Sequence, residues 1–107
     1  MSRDVQQEIQ QLVQRHDVVL FMKGTRRMPQ CGFSATAIAI LSELEVEFEE
    51  INVLADLEVR EGVKQFSNWP TVPQLYVRGE FVGGSDIMRE MFENGKLKTV
   101  LSAQKSA

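Results

Sequence analysis

Five consecutive apolar residues, Val18 to Met22, constrain the fold more than any other stretch of the chain. They are rich in strand-forming side chains and show no alternation of polar and apolar positions. Such a pattern is typical of a strand that is covered on both faces. The run therefore predicts a central strand in a sheet that has helices on both sides, and it is far too short to span a bilayer.

Helical and extended patterns surround this strand in an order typical of an α/β domain. Apolar spacing predicts a helix over about 3–15 before the strand and a helix over about 32–44 after it. A second strand is predicted over 46–53, although its alternation slips once, and a helix over 55–67. Strand, helix and strand in succession make a βαβ unit with parallel strands and a right-handed crossover.

Two prolines, Pro70 and Pro73, end the helical pattern and favour extended backbone before them. We expect one of these two X-Pro bonds to be cis, and Trp69 to pack against the proline loop. Two short strands, over 74–77 and 80–82, are joined by a two-residue turn and should pair antiparallel.

The remainder of the chain returns to a helical pattern. We expect Ser85 or Asp86 to be the N-cap of a helix, and a last short helix over about 97–101. The order of these elements predicts an α/β fold, with a mixed four-stranded sheet flanked by about five helices. With 107 residues, 43% of them hydrophobic, the chain fits a single domain over 1–107.

Composition argues against several classes of function and compartment. The net charge is -3 and no run of basic residues occurs, so we expect no nucleic-acid or membrane partner. One cysteine cannot form an internal disulfide, which favours a reducing compartment. The first residues offer neither an apolar signal core nor an Arg- and Ser-rich transit peptide. We therefore expect a cytoplasmic protein, and the mature form of an organelle-matrix protein would fit equally.

The only cysteine, Cys31, lies where the strand pattern gives way to the helical one. At a helix N-terminus, free backbone N–H groups and the helix dipole favour thiolate over thiol. A lone cysteine is also commonly a small buried hydrophobe. A cysteine between the first strand and helix of such a unit, with a proline before the third strand, is nevertheless the pattern of the thioredoxin fold, here as Cys-x-x-Ser.

At Cys31-Gly32-Phe33-Ser34 the chain resembles the monothiol, CGFS-type glutaredoxins of the thioredoxin-fold superfamily. The resemblance covers nearly the whole chain, because the other family signatures follow in the right order. These are Val19-Leu20-Phe21-Met22-Lys23-Gly24-Thr25, Trp69-Pro70-Thr71-Val72-Pro73-Gln74-Leu75, Gly79-Glu80 and Val82-Gly83-Gly84-Ser85-Asp86-Ile87.

The resemblance implies that Cys31 binds the iron of a [2Fe-2S] cluster shared across a homodimer, with glutathione bound beside it. It also implies a BolA-like protein as a hetero-partner and apo iron–sulfur proteins as acceptors. Many relatives have a second cysteine at position 85, where this chain has a serine. Because Cys31 is the only cysteine, an intramolecular disulfide is excluded here.

The same resemblance assigns the glutathione contacts. Lys23 and Arg60 would bind its carboxylates, and Val72, ahead of a cis-proline, would pair with its backbone. Ser85 and Asp86 would receive the γ-glutamyl end, where a helix N-terminus offers N–H groups to a carboxylate. Plainer roles stay open for these residues: solvated cations for the lysine and arginine, and a simple helix cap for the serine and aspartate.

A count of ligands leads to the same dimer. A [2Fe-2S] cluster takes four thiolates in its common form, and each chain supplies one. Two chains then need two outside thiols, and glutathione is the abundant small thiol of reducing compartments. Ligands supplied from outside imply a cluster that can be passed on.

Three functions are compatible with these residues. The first is an iron–sulfur carrier in which Cys31 is a ligand, which the resemblance favours. The second is a glutathione-dependent oxidoreductase, in which the Cys31 thiolate attacks a mixed disulfide and a second glutathione resolves it. Ser34 cannot resolve that disulfide, and we expect it to cap or hydrogen-bond near the sulfur. The third, an inert adaptor, leaves the site residues unexplained.

Overall fold

The computed structural model describes residues 3–102 as a four-stranded sheet with helices on both faces. The elements in chain order are α1 (Val5–Arg15), β1 (Val18–Met22), α2 (Gly32–Glu43), β2 (Glu49–Asn52), a 3-10 turn (Val53–Ala55), α3 (Leu57–Ser67), β3 (Gln74–Val77), β4 (Glu80–Gly83), α4 (Ser85–Glu93) and α5 (Lys96–Ser102).

The strand order is β2-β1-β3-β4. Strand β1 pairs parallel with β2 and antiparallel with β3, and β3 pairs antiparallel with β4. This arrangement confirms the mixed sheet, the βαβ unit and the C-terminal hairpin expected from the sequence. The described part of the chain also has the five α-helices that were expected.

Strand β1 separates two hydrophobic clusters, because successive side chains of a strand point to opposite faces. Leu20 and Met22 belong to the cluster under α2, α4 and α5. Val19 and Phe21 belong to the cluster under α1 and α3. All five residues of β1 are buried, which confirms that the apolar run is a central strand covered on both faces.

The first and third helices begin slightly later than the apolar spacing predicts, since each follows an aspartate cap. The Asp4 carboxylate accepts a hydrogen bond from a backbone N–H in the first turn of α1. The Asp56 carboxylate accepts from the N–H groups of Glu58 and Val59 in the first turn of α3. An acceptor at the N-cap satisfies N–H groups that have no partner within the helix, and this fixes where the helix starts.

Strand β2 covers only four of the eight residues predicted over 46–53. Val46 and Phe48 pack half-buried against the core without joining the ladder. At the other end, the Asn52 side chain accepts a hydrogen bond from Leu54 N and starts the 3-10 turn. The slip in alternation therefore marks the start of the strand and not an irregularity inside it.

The expected N-cap of α4 is wrong. The cap is Gly84, which has no side chain to bond the helix, and Ser85 is already the first helical residue. A Cβ at position 84 would lie 3.3 Å from the carbonyl oxygen of Pro73, so a glycine permits this close approach of two segments. The side chains of Ser85 and Asp86 are consequently not used to cap their own helix.

None of the helices within residues 3–102 is long and apolar enough to cross a membrane.

Candidate functional site

The sheet topology brings the predicted site residues to one edge. Because β1 and β2 are parallel, their C-terminal ends lie side by side, with Met22 opposite Asn52. Strand β3 is antiparallel to β1 and starts at this edge, where Gln74 faces Phe21. Strand β4 ends there, so α4 starts there too. The loop before Cys31, the proline loop and the start of α4 thus meet at one end of the sheet.

Cys31 is the N-cap of α2, with extended backbone and a half-buried side chain. Its pKa is lowered, first by the backbone N–H of Ser34 and then by that of Phe33 and the charge of Lys23, while burial opposes the shift. The Cys31 side chain makes no capping hydrogen bond in the structure. The helix start therefore favours the thiolate form of Cys31.

The buried hydroxyl of Ser34 ties β1 to α2. Its Oγ accepts a hydrogen bond from the backbone N–H of Lys23 at 3.0 Å, and it makes the smallest of the contributions that lower the pKa of Cys31. The backbone N–H of Gln30 donates to the Lys23 carbonyl at 2.9 Å. Ser34 thus hydrogen-bonds near the sulfur, as expected, and these bonds hold the loop that carries Cys31 against the strand end.

Two adjoining grooves flank the sulfur. The first, of about 300 Å³, is lined by Cys31, Gly32, Phe33, Thr36, Ser85, Asp86 and Arg89. The second, of about 190 Å³, is lined by Phe33, Trp69, Thr71, Val72, Pro73, Gly84, Ser85, Asp86 and Ile87. The grooves share Phe33, Ser85 and Asp86, so together they form one continuous surface beside the thiol.

The proline loop forms one wall of the second groove. The Val72-Pro73 bond is cis, one of the two X-Pro bonds considered. The buried Gln74 side chain donates to the carbonyl oxygens of Trp69 at 3.3 Å and Thr71 at 3.0 Å. Trp69 packs on Phe81 with ring centroids 6.0 Å apart and also lines the groove.

The start of α4 forms the opposite wall. Ser85 is nearly buried, whereas the Asp86 side chain is 83% exposed. Asp86 forms an ion pair with Arg89, whose Nη2 lies 3.6 Å from Oδ1. Neither carboxylate oxygen is used as a helix cap, which leaves Asp86 able to bind a cationic group of a ligand.

Lys23 and Arg60 lie outside the lining of both grooves. Lys23 follows β1, close enough to the sulfur for its charge to lower the pKa of Cys31. Arg60 is half-buried in the first half of α3, and its Nε is a buried donor without a hydrogen-bond partner among the described residues. A buried donor of this kind calls for an acceptor, such as a ligand carboxylate.

Among residues 3–102, no group of three or more histidine, cysteine or acidic side chains could hold a metal ion.

Sequence reasoning missed several residues of the grooves: Phe33, Thr36, Thr71 and Arg89. Arg89 was detectable, because it follows Asp86 by three residues on a predicted helix and such pairs share a face. The exposure of Phe33, at 63%, was not detectable, since an apolar residue in a helical pattern is normally assigned to the core.

Comparison with known proteins agrees with this geometry. The family model described as Glutaredoxin matches residues 18–82. A Synechocystis protein described as an uncharacterized monothiol glutaredoxin is 54% identical over 94% of both chains. The mitochondrial monothiol glutaredoxin-5 of Schizosaccharomyces pombe is 50% identical over 94% of this chain and 71% of that one.

Solved structures show the same fold. A monomeric truncated mutant of Trypanosoma brucei 1-C-Grx1 is 42% identical, with a TM-score of 0.82 over 94% of this chain and 91% of that one. A buckwheat glutaredoxin–glutathione complex is 25% identical, with a TM-score of 0.82 over 92% of this chain and 87% of that one. With its lone thiol at the start of α2 and relatives named for one thiol, the chain belongs to the monothiol glutaredoxins and has their thioredoxin fold.

Proposed function

We propose that this monothiol glutaredoxin binds glutathione beside Cys31 and, as a homodimer, carries a [2Fe-2S] cluster to apo iron–sulfur proteins. The observation that carries the proposal is a lone cysteine of lowered pKa that opens onto a continuous groove. A single thiol with space beside it suits a site whose remaining ligands come from other molecules.

The two grooves offer complementary groups to an extended tripeptide. Val72 would pair with the ligand backbone, and Ser85 and Asp86 would receive the γ-glutamyl end at the N-terminus of α4. Lys23 and Arg60, which lie outside the lining of both grooves, would bind carboxylates, and the unpartnered Nε of Arg60 supports that role. The buckwheat relative, described as a glutaredoxin–glutathione complex, supports glutathione as the ligand.

The ligand count supports the cluster. Cys31 from each of two chains and one glutathione thiolate bound beside each of them make the four thiolates of a [2Fe-2S] centre. The lowered pKa of Cys31 helps, because the thiolate is the form that binds iron. Two of the four ligands would be exchangeable small molecules, which suits a carrier better than a permanent store.

The lowered pKa also favours a second activity, glutathione-dependent reduction of mixed disulfides. The Cys31 thiolate would attack the glutathione sulfur of a protein–glutathione disulfide and release the protein thiolate. A second glutathione thiolate would then attack the Cys31–glutathione disulfide, giving glutathione disulfide and restoring the Cys31 thiolate. We rank this activity below cluster transfer, and any turnover should be weak.

Anaerobic reconstitution with iron, sulfide and glutathione tests the proposal. The expected product is a coloured dimer on gel filtration that forms with glutathione and fails to form without it. Cys31→Ser should stay colourless and monomeric at the same concentration. A colourless wild-type protein, or a coloured monomer, would contradict the carrier function. Turnover of a small glutathione mixed disulfide at ordinary glutaredoxin rates would favour the oxidoreductase instead.

The setting is part of the proposal. We place the protein in a reducing compartment, the cytoplasm or an organelle matrix, and the relatives named as mitochondrial and chloroplastic support the organelle setting. A BolA-like protein would be a hetero-partner, sharing the cluster in place of the second copy. We treat residues 1–107 as one glutaredoxin domain with no nucleic-acid or membrane partner.

A further inference from the structure

We propose that Arg89 is a further glutathione-contact residue, which acts with Asp86 to recognise the zwitterionic α-amino acid end of the tripeptide. This inference rests on the proposed function, because it requires glutathione in the grooves beside Cys31. Arg89 would supply a cation on the groove wall. The protein should then bind thiols that carry the γ-glutamyl carboxylate more tightly than thiols that lack it.

The position of Arg89 provides the first observation. It lies one turn after Asp86 on α4, so the two side chains share a face of the helix. Both line the groove of about 300 Å³ that also contains Cys31. Among the described residues that line either groove, Arg89 is the only one with a permanent positive charge.

The state of this ion pair is the second observation. Nη2 of Arg89 and Oδ1 of Asp86 are 3.6 Å apart, longer than a good charged hydrogen bond. Their side chains are 61% and 83% exposed, and an exposed pair of this kind is held weakly. Gly84, and not Asp86, caps the helix. Both charges are therefore available to a ligand at little cost.

The γ-glutamyl end of glutathione matches this pair of opposite charges. The γ-glutamyl residue carries an ammonium and a carboxylate on the same carbon, so its complement is an anion and a cation a few ångströms apart. Asp86 accepts from the ammonium, and the guanidinium of Arg89 donates to the carboxylate, for which its planar fork is well suited. Removing the ligand carboxylate should abolish the contribution of the Arg89 side chain and leave that of the Asp86 side chain in place.

A titration with S-methylated tripeptides, followed by NMR, tests this assignment. The ligands are S-methylglutathione and S-methyl 4-aminobutanoyl-cysteinylglycine, which lacks the γ-glutamyl carboxylate but keeps the amine. Arg89→Gln should weaken binding of S-methylglutathione about fivefold, as expected for one exposed charged contact. The same variant should bind the ligand without the carboxylate as well as the wild-type protein does.

Two further variants sharpen the test. Arg89→Lys should recover part of the loss, because it restores the charge without the planar fork. Lys98→Gln removes an exposed cation from α5, away from both grooves, and should leave both affinities unchanged. Equal weakening of both ligands by Arg89→Gln, or no weakening of either, would overturn the role of Arg89. If the wild-type protein bound neither tripeptide, the proposed function itself would fail.

Discussion

The hydroxyl of Ser34 joins the end of β1 to the start of α2, and Ser34→Ala tests what that bond contributes. Ser34 is fully buried, and its Oγ is the acceptor for the Lys23 backbone N–H at 3.0 Å. Alanine leaves this donor without its partner, which costs about 1–2 kcal/mol of unfolding free energy. For a domain of this size, that corresponds to a decrease in Tm of about 5–10 °C.

The same substitution should change the pKa of Cys31 only slightly. The largest cause of its lowered pKa is the backbone N–H of residue 34, which alanine keeps, and the hydroxyl makes the smallest contribution. The thiol of Ser34→Ala should therefore still titrate below an ordinary cysteine. Stability and thiol reactivity should separate in this variant.

Two assays measure the two effects. Urea unfolding gives the change in stability, and the rate of alkylation by iodoacetamide against pH gives the titration of the thiol. Lys23→Gln is the matched control, because it keeps the backbone N–H and removes the ammonium. Its stability should stay within about 0.5 kcal/mol of wild type. Its Cys31 pKa should rise by at least as much as in Ser34→Ala, since Lys23 makes the larger contribution of the two.

Two results would refute this reasoning. An unchanged urea midpoint for Ser34→Ala would mean that the hydroxyl does not satisfy the Lys23 N–H. If the pKa of Cys31 in Ser34→Ala equalled that of cysteine in an unfolded peptide, the start of α2 would not stabilise the thiolate.

Three further predictions concern the loop, the groove and the first turn of α3. Gly24→Ala should destabilise the protein more than Gly95→Ala, as measured by their urea unfolding midpoints. Both glycines have positive φ, but only at Gly24 would a Cβ lie 2.6 Å from backbone atoms of the Cys31 loop. Asp86→Ala should weaken glutathione binding more than it lowers Tm, as Asp86 does not cap its helix, and the reverse result would make it structural. Arg3 lowers the pKa of Asp56, so this stabilisation is present above the ordinary aspartate pKa and is lost as the pH falls through the lowered one. Arg3→Gln should therefore flatten the acid limb of stability against pH, and an unchanged limb would contradict the pairing.

The sequence predicts most of the architecture because strong local signals agree with the tertiary structure. An uninterrupted apolar run is compatible with few positions other than a central strand, and Val18–Met22 is buried throughout. The cis bond falls at Val72-Pro73, where proline makes it accessible. The position of Cys31 at a helix start follows from the change of period between two neighbouring elements.

What the sequence does not predict depends on contacts between distant segments. Gly84 caps α4 because the helix start must pass close to Pro73, and no local propensity records that approach. Val46 and Phe48 look like strand residues because they are apolar and alternate, yet they pack against the core outside the ladder. The grooves likewise combine three segments that are far apart in the chain, so their lining appears only in the folded structure.

The most direct test of the central claim is the mass of the reconstituted complex, measured by native mass spectrometry without exposure to oxygen. The proposed site predicts one species with two chains, one [2Fe-2S] cluster and two glutathione molecules, because each chain supplies only one thiolate. Cys31→Ser should yield bare chains. A cluster-bearing dimer without glutathione, or a cluster held by a single chain, would contradict the account.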